Sequence, residues 1–196
     1  MAVVSIKNKL RRGNLLVGND PYIPPDFESI ATYTVGSGGA SSITFSSIPS
    51  TYAHLQLRAF VRTTRTGGPD ILGVRYNSDS GNNYADHLLY GDGSSAQVDK
   101  DTSYPQQNVH RISSDADTTG IFSGFVIDIL DYANTNKYTT LRSLGGYDAN
   151  GSGRTVFNSG LWMNTNAVNS IYLFSVYSEN FKQYSHFALY GIKAAS

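Results

Sequence analysis

The sequence predicts an all-β fold: a single antiparallel β-sandwich, jelly-roll-like, over residues 28–196, with an extended N-terminal arm over residues 1–27. Three observations predict it. Charged residues are only 15% of the 196, well below the usual quarter, and Ser, Thr, Asn, Gly and Tyr take their place. That mixture suits strands and tight turns, not helices. Short strand-like runs also recur at roughly 10–20-residue spacing with no amphipathic helix between them. Finally, Tyr52 to Thr64 alternates cleanly. Leu55, Leu57, Ala59 and Val61 fall on one face, with His54, Gln56, Arg58, Phe60 and Arg62 on the other. An antiparallel sheet with one wet face gives that pattern.

The first 27 residues differ from the rest. Lys7, Lys9, Arg11 and Arg12 precede the first acid, Asp20, and Pro21, Pro24 and Pro25 follow. Closely spaced prolines fix extended backbone and remove hydrogen-bond donors. Two readings stand, a solvated leader and an arm docked on a neighbouring subunit. Val3, Val4, Ile6, Leu10, Leu15, Leu16 and Val17 favour the arm, because a solvated tail has little use for them.

Strands are then expected in order. Ser29–Val35 alternates Ile30, Tyr33 and Val35 with small polar residues, and Gly36–Gly39 turns the chain. Ser42–Ser46 places Ile43 and Phe45 on one face, and Pro49 breaks the run. Tyr52–Thr64 follows, then Ile71–Tyr76 after the turn at Gly67–Asp70. Residues 77–83 read as a polar loop, Tyr84–Tyr90 as a strand and residues 91–105 as a second long polar loop. Val109–Ile112, Ile121–Leu130, Lys137–Leu144, Thr155–Met163, Ser170–Tyr177 and His186–Ile192 complete about ten strands. Asn134–Asn136 and Asp148–Gly153 carry turn chemistry. No repeat of fixed length points to a propeller or solenoid.

Composition excludes several classes. Fifteen basic against fifteen acidic residues leaves no net charge, which argues against a nucleic-acid binder. No run approaches the roughly 20 apolar residues of a membrane helix. The first residues lack the charge order of a secretory signal, and Ala2 excludes N-myristoylation. Without cysteine there is no disulfide scaffold or thiolate zinc site.

The search for catalytic chemistry returns little. His54, His87, His110 and His186 lack metalloprotease spacing. His54 and His186 read as side chains on a sheet face. Asp86 and His87 are adjacent in a strand and so point to opposite faces. Gly120–Gly124 has the wrong spacing for a nucleophile elbow. Asp79, Gly81 and Asn83, and Asp115 with Asp117, offer loop oxygens but do not match a calcium loop. No metal and no cofactor are expected. Among the 14 Tyr, Tyr84, Tyr90, Tyr104 and Tyr147 sit in or beside loops, where a partner or glycan can be met.

Three segments together carry a resemblance. They are Phe27 to Leu55, Leu88-Leu89-Tyr90-Gly91-Asp92-Gly93-Ser94-Ser95, and the ending Tyr184-Ser185-His186-Phe187-Ala188-Leu189-Tyr190-Gly191-Ile192-Lys193. They resemble a group of tailed-bacteriophage virion proteins of the structural or tail-fibre kind. The resemblance implies a non-enzymatic, β-rich virion component, assembled in the host cytoplasm, with no catalytic residues to transfer. A homotrimer is expected by analogy.

Three functions follow as expectations. The first is a capsid decoration (cement) protein held on the major capsid protein through its arm, with Lys7 to Arg12 meeting acidic surface. The second is a tail fibre or baseplate protein whose sandwich binds a host surface glycan through loops 77–83, 91–105 and 147–153. The third is a glycan-cleaving enzyme, needing two acids across a groove from among Asp79, Asp92, Asp117 and Asp148.

Overall fold

A computed structural model of the chain describes residues 26–194. The residues expected to form a docking arm, Val3 to Val17, lie outside the described residues. Twelve strands make up the fold: β1 (Phe27–Thr34), β2 (Ser42–Phe45), β3 (His54–Val61), β4 (Asp70–Tyr76), β5 (Tyr84–Gly91), β6 (Ala96–Tyr104), β7 (Gln107–Ile112), β8 (Ser123–Leu130), β9 (Thr139–Asp148), β10 (Gly153–Trp162), β11 (Ile171–Ser175) and β12 (His186–Ile192). No helix among the described residues is long and apolar enough to cross a membrane.

The strands form two sheets packed as a sandwich, so the all-β expectation holds. The large sheet runs β1-β12-β3-β8-β9-β10-β5-β6 and the small one β2-β11-β4-β7. Every paired ladder is antiparallel. The chain crosses between sheets repeatedly, from β2 to β3, β3 to β4, β4 to β5 and β6 to β7, which is consistent with a jelly roll. Between β3 and β5, the meander β8-β9-β10 fills the middle of the large sheet.

The core follows from the period-two pleat. Leu55, Leu57, Ala59 and Val61 of β3 are buried, as the alternation predicts. Leu57 lies opposite Leu189 of β12 and Ile127 of β8, and all three are fully buried. Gly145 lets the Phe125 ring lie flat on β9, because a Cβ there would sit 2.4 Å from a ring carbon. Toward β10 the core turns aromatic. The rings of Tyr76 and Trp162 are 5.3 Å apart, and Tyr84 stacks on Trp162 at 6.3 Å.

Two expectations need correction. Residues 91–105 are not one loop, because 96–104 form β6 on the rim of the large sheet. Eight strands overhang four, so both faces of β6 are wet and its sequence shows no alternation. Arg62 is not on the wet face either. It lies just past the end of β3, where the pleat no longer applies, and is 4% exposed. Its guanidinium donates to the carbonyls of Asp117 (2.9 Å), Thr118 (3.0 Å) and Ile121 (2.8 Å), and its Nε reaches Asp115 Oδ1 at 3.3 Å. One side chain thereby ties four points of the 115–121 connection together.

Arg62→Ala should therefore cost about 3–5 kcal/mol, because it strips three carbonyls of their charged donor and each such loss costs about 1–3 kcal/mol. Arg62→Lys should recover only part, because an ammonium cannot fork to three carbonyls. Urea denaturation checks this, and a loss under about 1 kcal/mol would mean that the connection is held by other contacts.

Candidate interaction surface

The outer face of the large sheet is built by the same pleat that builds the core. Wherever a strand puts an apolar residue inward, its neighbours point out. One transverse row of outward residues is in register across five strands: Val126 of β8 opposite Leu144 of β9, Leu144 opposite Phe157 of β10, Phe157 opposite Leu89 of β5, and Leu89 opposite Val98 of β6. All five are apolar, and they are 40% to 79% exposed. At the usual strand separation of about 4.8 Å the stripe runs roughly 19 Å.

The rows beside it differ in kind. On one side lie Gln56, Asp128, Arg142, Ser159, His87 and Lys100, again in register. On the other side lie Gly124, Gly146, Thr155 and Gly91, so the sheet is nearly bare backbone there. At its β3 end the stripe meets a hollow of about 300 Å³ walled by Phe60, Val126, Leu144 and His186. Phe60 is stacked on Phe122 with ring centroids 4.9 Å apart. Scattered exposed apolar residues are normal, whereas a continuous run with a polar margin marks a contact surface.

The bare row opens into a groove of about 550 Å³, lined by Gly91, Asp92, Gly146, Asp148, Gly151 and Arg154 among others. Two of the three loops expected to meet a glycan thus come together. In the third, 77–83, the Asp79 carboxylate is turned inward and accepts bonds from Gly81 N (2.8 Å), Asn83 Nδ2 (3.0 Å) and the buried Trp162 Nε1 (2.8 Å). Asp115 is likewise engaged, by Lys182 at 2.7 Å, and Asp117 accepts from Ser114 N at 2.9 Å. These loop carboxylates are bonded within the protein.

The four tyrosines do not form one patch. Tyr84 is a correction: it is fully buried, and its hydroxyl accepts from Tyr76 N and donates to the Asp79 carbonyl, both at 3.1 Å. The pleat of β5 begins at Tyr84 itself and turns it inward. Tyr104 is exposed and opposite Tyr84 in the ladder. Tyr90 and Tyr147 lie toward the other end, near the groove. Tyr90 is covered by the guanidiniums of Arg111 (4.8 Å) and Arg154 (5.8 Å), while burial pushes the Tyr147 hydroxyl above its ordinary range. His54 accepts from Asp131 N at 3.0 Å, and His186 pairs with Thr34 Oγ1 at 2.9 Å. Both sit on the sheet face as expected.

Two acids sought for glycan cleavage, Asp92 and Asp148, do share the groove. Each, however, closes a turn. Asp92 Oδ1 accepts from Ser95 N, Ser94 N and Ser94 Oγ, all at 2.9 Å, and Asp148 Oδ1 accepts from Asn150 N at 2.7 Å. The bonds from Ser95 and Ser94 hold the Asp92 carboxyl down at about 2. A general acid needs the opposite displacement.

The exposed stripe itself was not foreseen. Its residues come from five strands, and only the pairing register, which is non-local, aligns them.

A pH dependence follows from Asp92. Its depressed carboxyl adds stability that is fully present above the ordinary value of about 3.9 and is lost as pH falls toward about 2. The stability gap between wild type and Asp92→Ala should hold steady above about pH 5 and close toward pH 2. Urea midpoints across that range check it, and a gap that persists unchanged at pH 2 would contradict the assignment.

No family model matches the chain, and neither the curated proteins nor the solved structures include a significant match.

Proposed function

We propose that this chain is a non-enzymatic structural protein of a bacteriophage virion, a capsid decoration protein that attaches through residues 1–27 and through the apolar stripe of its large sheet. The stripe carries this reading. Val126, Leu144, Phe157, Leu89 and Val98 form an exposed apolar run on a sheet face, and a neighbouring virion protein would remove it from water. Full burial of a side chain such as Leu or Phe contributes about 1.5–3 kcal/mol. The apolar residues between Val3 and Val17 offer a second contact on the same chain. Two modest contacts joined by one chain give avidity on a repeating lattice. The resemblance of Phe27–Leu55 and Tyr184–Lys193 to phage virion proteins agrees with that role.

A second reading rests on the groove. Its bare glycine floor with Asp92, Asp148 and Arg154 on the walls suits a hydroxyl-rich ligand, as a receptor-binding module of a tail fibre or baseplate would need.

Co-sedimentation with undecorated phage heads tests the proposal, using wild type, a chain lacking residues 1–27, and Leu144→Lys with Phe157→Lys. Both variants should bind heads at least tenfold more weakly, a loss of about 1.4 kcal/mol or more. The circular dichroism and unfolding temperature of the lysine variant should match wild type, because Leu144 and Phe157 are exposed. If wild type does not bind heads but is retained by a glycan panel, the groove reading replaces this one. Undiminished binding by the lysine variant removes the stripe from the contact.

A further inference from the structure

The interior carries a polar cluster that the interaction surface does not use. Asp86 of β5 and Asp101 of β6 are partners in one ladder. His110 approaches them from β7, in the other sheet. Its Nε2 lies 3.4 Å from Asp86 Oδ1 and 3.5 Å from Asp101 Oδ2. The three ligand atoms all fall within 4.8 Å of one another.

The bonding around them is one-sided. Asp86 is 2% exposed. Its Oδ2 accepts from Gln107 Nε2 (3.2 Å) and Asn108 N (3.4 Å), and Asn108 Nδ2 donates to Asp101 Oδ2 at 2.6 Å. Asp86 Oδ1, the oxygen facing His110, receives no hydrogen bond. A single imidazole N–H cannot serve two carboxylates in line, and both approaches, at 3.4 and 3.5 Å, are long for a hydrogen bond. Leaving a buried carboxylate oxygen unbonded is costly. Asp86 is thus oriented through Oδ2 with Oδ1 left free, while Asp101 Oδ2 both accepts from Asn108 Nδ2 and faces His110, so that one nitrogen and two oxygens converge on a common point.

We propose that Asp86, Asp101 and His110 form a binding site for a divalent transition metal, zinc being the best fit, which pins the β5–β6 edge to β7. Tetrahedral zinc with bonds of about 2.0–2.1 Å places its ligands roughly 3.3–3.4 Å apart, close to the two measured approaches to His110. An imidazole with two carboxylates suits zinc, manganese or cobalt. Calcium needs six to eight oxygens and does not favour the imidazole. Asp101 is part-exposed, so the ion enters from the rim, and water completes the coordination. Desolvation pushes the Asp86 carboxyl above its ordinary range, and a bound cation offsets the cost of that buried charge. The role is structural. β7 is the edge of the small sheet and β6 the edge of the large one, so the ion closes the sandwich where its sheets end.

The test uses the tag-free full-length chain, stripped with chelator and titrated with zinc chloride, then separately with cobalt chloride. Calorimetry should give one zinc per chain, zinc should raise the unfolding temperature in a saturable way, and cobalt should give the visible absorption of a low-coordinate site. His110→Gln and the part-exposed Asp101→Asn should each bind zinc at least tenfold more weakly and lose the thermal shift. His87→Gln, on the opposite face of β5, should behave as wild type. Calorimetry on Asp101→Asn decides the matter if His110→Gln fails to fold. No saturable zinc binding by the wild type, or an equal zinc response in both ligand variants, overturns the proposal and leaves the cluster as a plain histidine–carboxylate group.

Discussion

The whole molecule depends on the pleat of the eight-stranded sheet. Alternate residues must face opposite sides, so each residue committed to the core commits its neighbours to the surface. The register that sets Leu57 between Leu189 and Ile127 also sets Arg58 beside Val126, and from there the row passes through Leu144, Phe157 and Leu89 to Val98. Core and stripe share one register and cannot be shifted independently. A one-residue slip of β9 would put Leu144 inside and Ser143 out, and would spoil both faces at once. The apolar character of the outer row is therefore not a by-product of core packing, because polar residues at those positions would leave the core untouched.

The two halves of the sandwich are stabilised differently. Around β3, β8 and β12 the interior is aliphatic and aromatic, and burial of that surface drives folding. Around β5, β7 and β10 the interior holds Asp86, Gln107, Asn108, His110 and Asn158, all buried. Such groups lower stability unless each finds a partner. Asn158 Nδ2 bonds the Asn108 carbonyl, and Gln107 and Asn108 bond Asp86, so the polar sector is woven mainly around β7. A sandwich with an aliphatic core alone would gain more from burial. Retention of a polar sector at the open side agrees with a demand made there by a ligand rather than by folding.

Legibility in the sequence follows from how local each signal is. The alternation of Leu55, Leu57, Ala59 and Val61 is local and one-sided, so β3 could be read directly. So could β2, β8 and β12. Ala96 to Tyr104 could not, because a rim strand wet on both faces needs only backbone bonds and imposes no pattern. Its Asp99 and Lys100 are the charges expected on an edge that must not pair with another sheet. Tyr84 reads as a loop-side residue because the polar loop 77–83 runs up to it, whereas the pleat of β5 and the Trp162 ring, 78 residues on, turn it inward. The opposition of Asp86 and His87 was legible from the pleat. The partner of Asp86 was not, since His110 arrives from the other sheet.

Strand β6 links these features. Val98 ends the outer stripe, and Asp101, three residues on, points to the inner face. Apart from Asp101 the strand is exposed throughout, so its ladder to β5 and the bond that Asp101 Oδ2 accepts from Asn108 Nδ2 are what hold it. An isolated edge pairing is weak and frays readily. Whatever fixes Asp101 from within also fixes Val98 without, because the two sit on one short length of extended backbone. A loosened rim would cost the outer contact twice, through the lost apolar surface of Val98 and through the entropy of ordering the strand when a partner binds. On the proposed roles, the inner cluster would prepare the outer face for binding while touching none of it.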